Sequence, residues 1–238
     1  MINGNLINVN NGNGVDSDPD GDAITVSMVD GLASNLAVAV TGSNGGTFVV
    51  QPNGAYSFDT GNDFDNLAVG EIRDTEITYT ITDNEGGEST ATVIVTVTGT
   101  NDDPNTIGTI PGQIDTDSVT ITDVDITPYF GDVDATDTIT FDDNGSLPPG
   151  LSIDSVTGVI TGTPTADASN GGPYTVTITA NDSNGGSVTQ TFNWTINNPA
   201  PVATDDNFAT TQGGTLSGNV VNEDNGNGVD IDLSLIHI

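Results

Sequence analysis

The chain has 238 residues and carries 34 acidic side chains against a single basic one, Arg73, for a net charge of -33. Such a surface repels phosphate, so nucleic acid is not expected as a partner, anionic membrane surfaces are disfavoured and cations are favoured. With no Cys and one His, disulfide staples, thiolate or imidazole zinc sites and nucleophile–histidine catalysis are excluded as well.

Hydrophobic residues make up 34% of the chain, a composition that by itself leans towards disorder at this charge. The local pattern opposes that: Val, Ile and Thr alternate in runs bounded by Gly, Asn and Asp, which predicts strands. Residues 1–20 are rich in Asn, Gly and Asp and end in Asp16, Asp18, Asp20 and Asp22. Strands are predicted over 23–29, 35–41, 46–51 and 55–59, then over 76–82 and 89–99 around a hairpin turn, DNEGGE (83–88). Ile77, Tyr79 and Ile81 are expected to face a core, as are Val93, Val95 and Val97. Six short strands in about 100 residues predict a β-sandwich.

The polar stretch 100–106, with Pro104, ends this unit. A second unit follows, with predicted strands over 137–141, 147–154, 159–165, 172–182 and 186–197, the last two again a hairpin. Residues 197–206 are the next linker. Segment 4–18, GNLINVNNGNGVDSD, returns at 218–232 as GNVVNEDNGNGVDID. The chain therefore reads as an alternating array of modules: 1–104, 105–199, and the truncated start of a further repeat over 200–238. The tail LSLIHI (233–238), which holds the only His, has no counterpart in the first copy. No apolar run is long enough to span a membrane, and no leader is visible after Met1. The expected fold class is all-β, as tandem immunoglobulin-like or cadherin-like β-sandwiches.

The acids are mostly Asp, 29 of the 34, and sit in Gly/Asn/Pro turns. Short carboxylates of this kind suit a hard, oxygen-seeking cation, and calcium takes about six to eight oxygens. DSDPDGD (16–22) is similar to the opening of a calcium loop, D-x-D-x-D-G. It is not an EF-hand, because Ser27 stands at the twelfth position and strands follow. A second set lies near the module ends: Asp83 in the first hairpin, then Asn101, Asp102 and Asp103 in the linker. Asp115 and Asp117 follow, then Asp132, Asp134 and Asp137, then Asp182 in the second hairpin. Asn197, Asn198, Asp205 and Asp206 mark the second junction. The expected ligands are Asp16, Asp18, Asp20, Asp22, Asp83, Asn101, Asp102, Asp103, Asp132, Asp134 and Asp182. The competing reading is a set of solvated acidic turns whose mutual repulsion is screened. No carboxylate pair stands out as a glycosidase pair, so no enzyme is expected. The aromatics fit strand patterns and hence a core, with Trp194 as the alternative sugar-stacking platform.

The order GTFVVQPNGAYSFDT (46–60), FDNLAVGE (64–71), DTEITYTITDNEGG (74–87) and TATVIVTVTGTNDDP (90–104) resembles the VCBS repeat of large bacterial surface adhesins. Residues 202–232 resemble the start of another such repeat. FGDVDATDTITF (130–141), LPPGLSIDSVTGVITGTPT (147–165) and GPYTVTITANDSNGG (172–186) resemble the Putative Ig domain, a dystroglycan-type cadherin-like family. The resemblance implies tandem sandwiches on an exported protein of the cell surface or medium, with roles in adhesion or biofilms and often with calcium. It implies Asp132, Asp134 and Asp182 as ligands, with Asn101, Asp102 and Asp103 as the linker group. The expected function is a calcium-stiffened adhesin spacer. Its partners are calcium, neighbouring repeats of the same chain, and a cell-surface protein or glycan. The alternative is a carbohydrate-binding ancillary module of a secreted polysaccharide-active enzyme.

Overall fold

A computed structural model describes residues 1–10, 14–205 and 209–215. Asp206, the second copy of the repeat and the tail with His237 lie outside the described residues. The chain forms two compact units. The first comprises Met1–Asp102 with Val133–Asp137, and the second takes in the rest of the described chain from Asp103.

The first unit holds β1 (Ile2–Asn5), β2 (Thr25–Val29), β3 (Ala39–Thr41), β4 (Thr47–Val50), β5 (Ala55–Asp59), β6 (Ile72–Thr82) and β7 (Glu88–Thr98). One sheet runs β1-β5-β4-β3 and the other β2-β6-β7. The β6–β7 ladder runs in register from Ile72↔Thr98 to Thr82↔Glu88, so the period-2 pattern sends Ile77, Tyr79, Val93 and Val95 to one buried face. The opposing sheet supplies Phe48 and Phe58. They are direct cross-strand partners with ring centroids 4.6 Å apart, both buried. Burying such a side chain stabilises by about 1.5–3 kcal/mol. The expected strand over 35–41 is shorter. A 3-10 turn covers Ala33–Asn35, and Ala37 takes a left-handed φ of 60° while its N–H donates to Val50 O. The strand therefore starts only at Ala39.

The second unit holds β8 (Asn105–Thr106), β9 (Gln113–Thr116), β10 (Val124–Asp125), β11 (Phe130–Gly131), β12 (Thr140–Asp142), β13 (Leu151–Ile153), β14 (Val159–Gly162), β15 (Tyr174–Asn181) and β16 (Ser187–Asn197). Its sheets run β12-β15-β16-β9, β10-β14-β13 and β11-β8. Ile126, Ile160, Val176, Ile178, Phe192 and Trp194 form its core. Trp194 is 0% exposed, and its Nε1–H donates to Asp115 Oδ2 at 2.9 Å. That bond satisfies the one polar atom of the indole. The sugar-platform alternative for Trp194 is thereby overturned.

Candidate cation sites

The two closing hairpins position one carboxylate each by the same device. In the first unit Asp83 Oδ1 accepts the N–H of Glu85, Gly86 and Gly87 at 2.7, 3.0 and 2.9 Å. In the second, Asp182 Oδ1 accepts those of Asn184, Gly185 and Gly186 at 2.7, 3.0 and 3.0 Å. Asn84 and Ser183, next along each turn, are left-handed (φ 65° and 71°), and Gly86 and Gly185 share a φ of 114°. The glycine pair has a second reason. A Cβ at Gly87 would collide with Asp83 Oδ2, and one at Gly186 would collide with Asp182 Oδ2 and with Asp103 Oδ1. Three N–H donors on one oxygen fix its direction.

In the first unit the DSDPDGD loop folds on the same principle. Asp18 Oδ1 accepts the N–H of Asp20, Gly21 and Asp22 at 3.0, 3.1 and 3.4 Å. One oxygen from each of Asp18, Asp20 and Asp22 lies within 4.8 Å of the others. The hydrogen bond with Asp20, then the backbone donors, hold the Asp18 carboxyl below its ordinary value. Asp20 is pushed up by its hydrogen bond with Asp18, by the Asp18 charge and by that of Asp83. Asp83 thus belongs to the same electrostatic neighbourhood. Asp16 is turned elsewhere. Its Oδ2 accepts the Tyr79 hydroxyl at 2.8 Å, and Tyr79 is pushed up to about 12 by burial, then by this bond and the Asp16 charge.

The linker residues divide between the units. In the first, the Asp102 N–H donates to Asp134 Oδ2 at 2.8 Å, and Asp134 is buried. Glu71 sits in the same unit, accepting from the Ala68 N–H and the Thr136 hydroxyl at 3.2 and 3.1 Å. In the second unit Asp182 is 1% exposed, and one of its oxygens lies within 4.8 Å of one from Asp132. Asp103 shares their neighbourhood through Gly186. Asn101 is half-buried in the first unit.

Magnitudes rank these groups. Two carboxylates within 4.8 Å of each other repel by about 3.5 kcal/mol or more at an effective dielectric of about 20. That limit applies to the buried Asp182, whereas water screens the exposed Asp20 and Asp22. Arg73, the only basic residue other than His237, donates to Asp63 O and Asn66 Oδ1 and lies over the Phe64 ring at 5.6 Å. The donors gathered at these sites are hard oxygens, the set that suits calcium and not zinc.

Two acids that the fold engages lie outside the expected ligand set. Glu71 stands outside the carboxylate clusters of the sequence. Asp117 is 0% exposed, with Oδ1 accepting the Ser169 N–H at 2.9 Å and Oδ2 buried without a partner among the described residues. Its place in an unstructured-looking DTDS stretch carried no burial signal.

Residues 3–99 match the family model of the bacterial cadherin-like domain, and residues 104–197 match that of the Putative Ig domain. The first stretch is thus similar to bacterial cadherin-like domains and the second to Ig-like domains. Among solved structures it is similar to mouse cadherin-23 EC22–24, at 15% identity over 79% of this chain and 62% of that one, with a TM-score of 0.52. It is also similar to human mucin-like protocadherin EC1-2, at 17% identity over 75% of this chain and 85% of that one, with a TM-score of 0.49. An endo-fucoidan hydrolase of glycoside hydrolase family 107 aligns at 14% identity and a TM-score of 0.33, over 74% of this chain, which spans 24% of that enzyme. At 15% identity the likeness to cadherin-23 is one of fold. No curated protein matches the chain.

Proposed function

We propose that the chain is a non-enzymatic, calcium-stiffened repeat segment of a bacterial cell-surface or secreted adhesin, acting as a spacer and in cell adhesion. One observation carries the calcium part. The buried Asp182 carboxylate lies within 4.8 Å of Asp132 in a chain whose single Arg or Lys is engaged elsewhere. Within the second module the ligands of this proposal are Asp182, Asp132 and Asp103; within the first, taken by itself, they are Asp102, Asp134 and Asn101. Asp18, Asp20 and Asp22, with Asp83 nearby, form a separate, more exposed loop site. When bound, calcium supplies positive charge and a fixed coordination shell. The residues hold their oxygens in place through backbone donors. Its other partners are neighbouring repeats and a cell-surface protein or glycan, outside the cell. The VCBS-type assignment of the first module rests on its closing order Y-T-I-T-D, Gly-Gly, G-T-N-D-D-P. A polysaccharide-binding role has lost its platform with the burial of Trp194.

Small-angle scattering of the chain in calcium and in EDTA tests the reading. The expected result is a longer and more uniform particle in calcium. Identical profiles would remove calcium stiffening, leaving a passive spacer.

A further inference from the structure

The two modules share a closing hairpin but differ beside it. In the second unit β16 has a parallel neighbour, β9, with Trp194 opposite Gln113 through to Asn197 opposite Thr116. The segment leading into β9 is tied down by Gln190, whose Oε1 accepts the Ile110 N–H at 2.9 Å and whose Nε2 donates to Gly108 O at 3.2 Å. Trp194 holds β9 itself through Asp115. Counting from the hairpin carboxylates, Asp83 and Asp182, the first unit has Ala91 and Val95 where the second has Gln190 and Trp194. Both anchors are missing. The order β2-β6-β7 leaves β7 at an edge, with no strand paired to its outer side among the described residues.

A cleft of about 490 Å³ lies between edge strand β1 and Ala91–Ile94 of β7, with Tyr56, Tyr79 and the chain around Val9 and Gly14–Asp16 in its wall. β7 also lacks the usual protection of an edge strand. Its sequence, ESTATVIVTVT, has no Lys, no Pro and a single charge, at Glu88. Asp16 is the charged residue of the cleft wall.

We propose that this cleft accepts an extended segment of a partner polypeptide, neutral or basic, which adds to β7 as a parallel strand opposite Ala91–Ile94. The second unit shows the chemistry of the fit, since β9 closes its own hairpin in just this sense. Main-chain hydrogen bonds to an exposed edge give affinity without demanding a particular sequence. Charge selects the occupant. A second copy would bring another -33 to a chain already at -33, so charge favours a neutral or basic segment over another copy of this chain.

Amide hydrogen exchange on the full chain tests this with two probes. One is the peptide of residues 110–118, IPGQIDTDS. The other is its analogue with both Asp replaced by Lys. The basic analogue, added at about nine times its Kd, is expected to slow exchange of alternate amides within Ala91–Ile94 about tenfold. Edge strand β3 should remain unaffected, and the acidic peptide should bind more weakly. Asp16→Asn, which keeps an acceptor for Tyr79, is expected to narrow the gap between the peptides. The proposal is overturned if neither peptide protects β7, if β3 is protected equally, or if the chain sediments as a dimer through β7. The assay runs in EDTA, so it is independent of the calcium reading.

Discussion

Replacing Asp182 by Asn separates a metal ligand from a turn-former, because the amide keeps the Oδ1 acceptor and loses the charge. Two terms compete when no ion is bound. Removing the charge relieves about 3.5 kcal/mol or more of repulsion against Asp132, whose oxygen lies within 4.8 Å, at an effective dielectric of about 20. It also turns three charge-assisted bonds at 2.7, 3.0 and 3.0 Å into neutral ones. Each loses roughly 1 kcal/mol, so about 3 kcal/mol is lost in all. The terms nearly cancel, and Asp182→Asn in EDTA is expected to melt within a few degrees of the parent. With calcium present the loss of one carboxylate weakens binding by about 10- to 100-fold, equivalent to about 1.4–2.7 kcal/mol. In a domain of about 100 residues that lowers the melting temperature by roughly 6–15 °C. Differential scanning calorimetry of both proteins, with calcium and with EDTA, reads all four states. An equal loss in the two conditions would refute the reasoning and leave Asp182 as a turn residue only.

Gly186→Ala drives a Cβ into Asp182 Oδ2 and Asp103 Oδ1. It should cost about 1–3 kcal/mol and lower calcium affinity together, as read by urea melts and calcium titration; an unchanged affinity would separate Asp103 from the site. Tyr79 is raised to about 12. The unfolded tyrosine therefore ionises first, near its ordinary value of about 10. Stability from this group is complete below pH 10 and is lost as pH climbs through 12. Urea midpoints measured across that window should fall, and the part due to Tyr79 should vanish in Tyr79→Phe.

Much of the fold was legible because its signals are local. The Thr/Val alternation of 72–82 and 88–98 and of 174–181 and 187–197 has a strict period of two. Paired with Asp-x-x-Gly-Gly turns, it identifies both hairpins. The short strands β8–β11 were not legible, since two to four residues cannot display a period and their pairing is decided by tertiary register. Ala37 shows the same limit: NLAVAVT alternates like a strand, and only the bond from its N–H to Val50 O bends it out of one. For the sites, Asp18 and Asp182 announce themselves by the glycines that follow. The turning of Asp16 towards Tyr79 and the complete burial of Asp117 depend on long-range packing that a one-dimensional pattern does not carry.

Calorimetric titration of calcium into the chelator-stripped chain, with sodium as the control ion, measures the central claim directly. Saturable calcium binding is expected, weakened in Asp182→Asn, with the loop site lost separately in Asp20→Asn. Heats of dilution alone, or the same weak response to sodium, would contradict it.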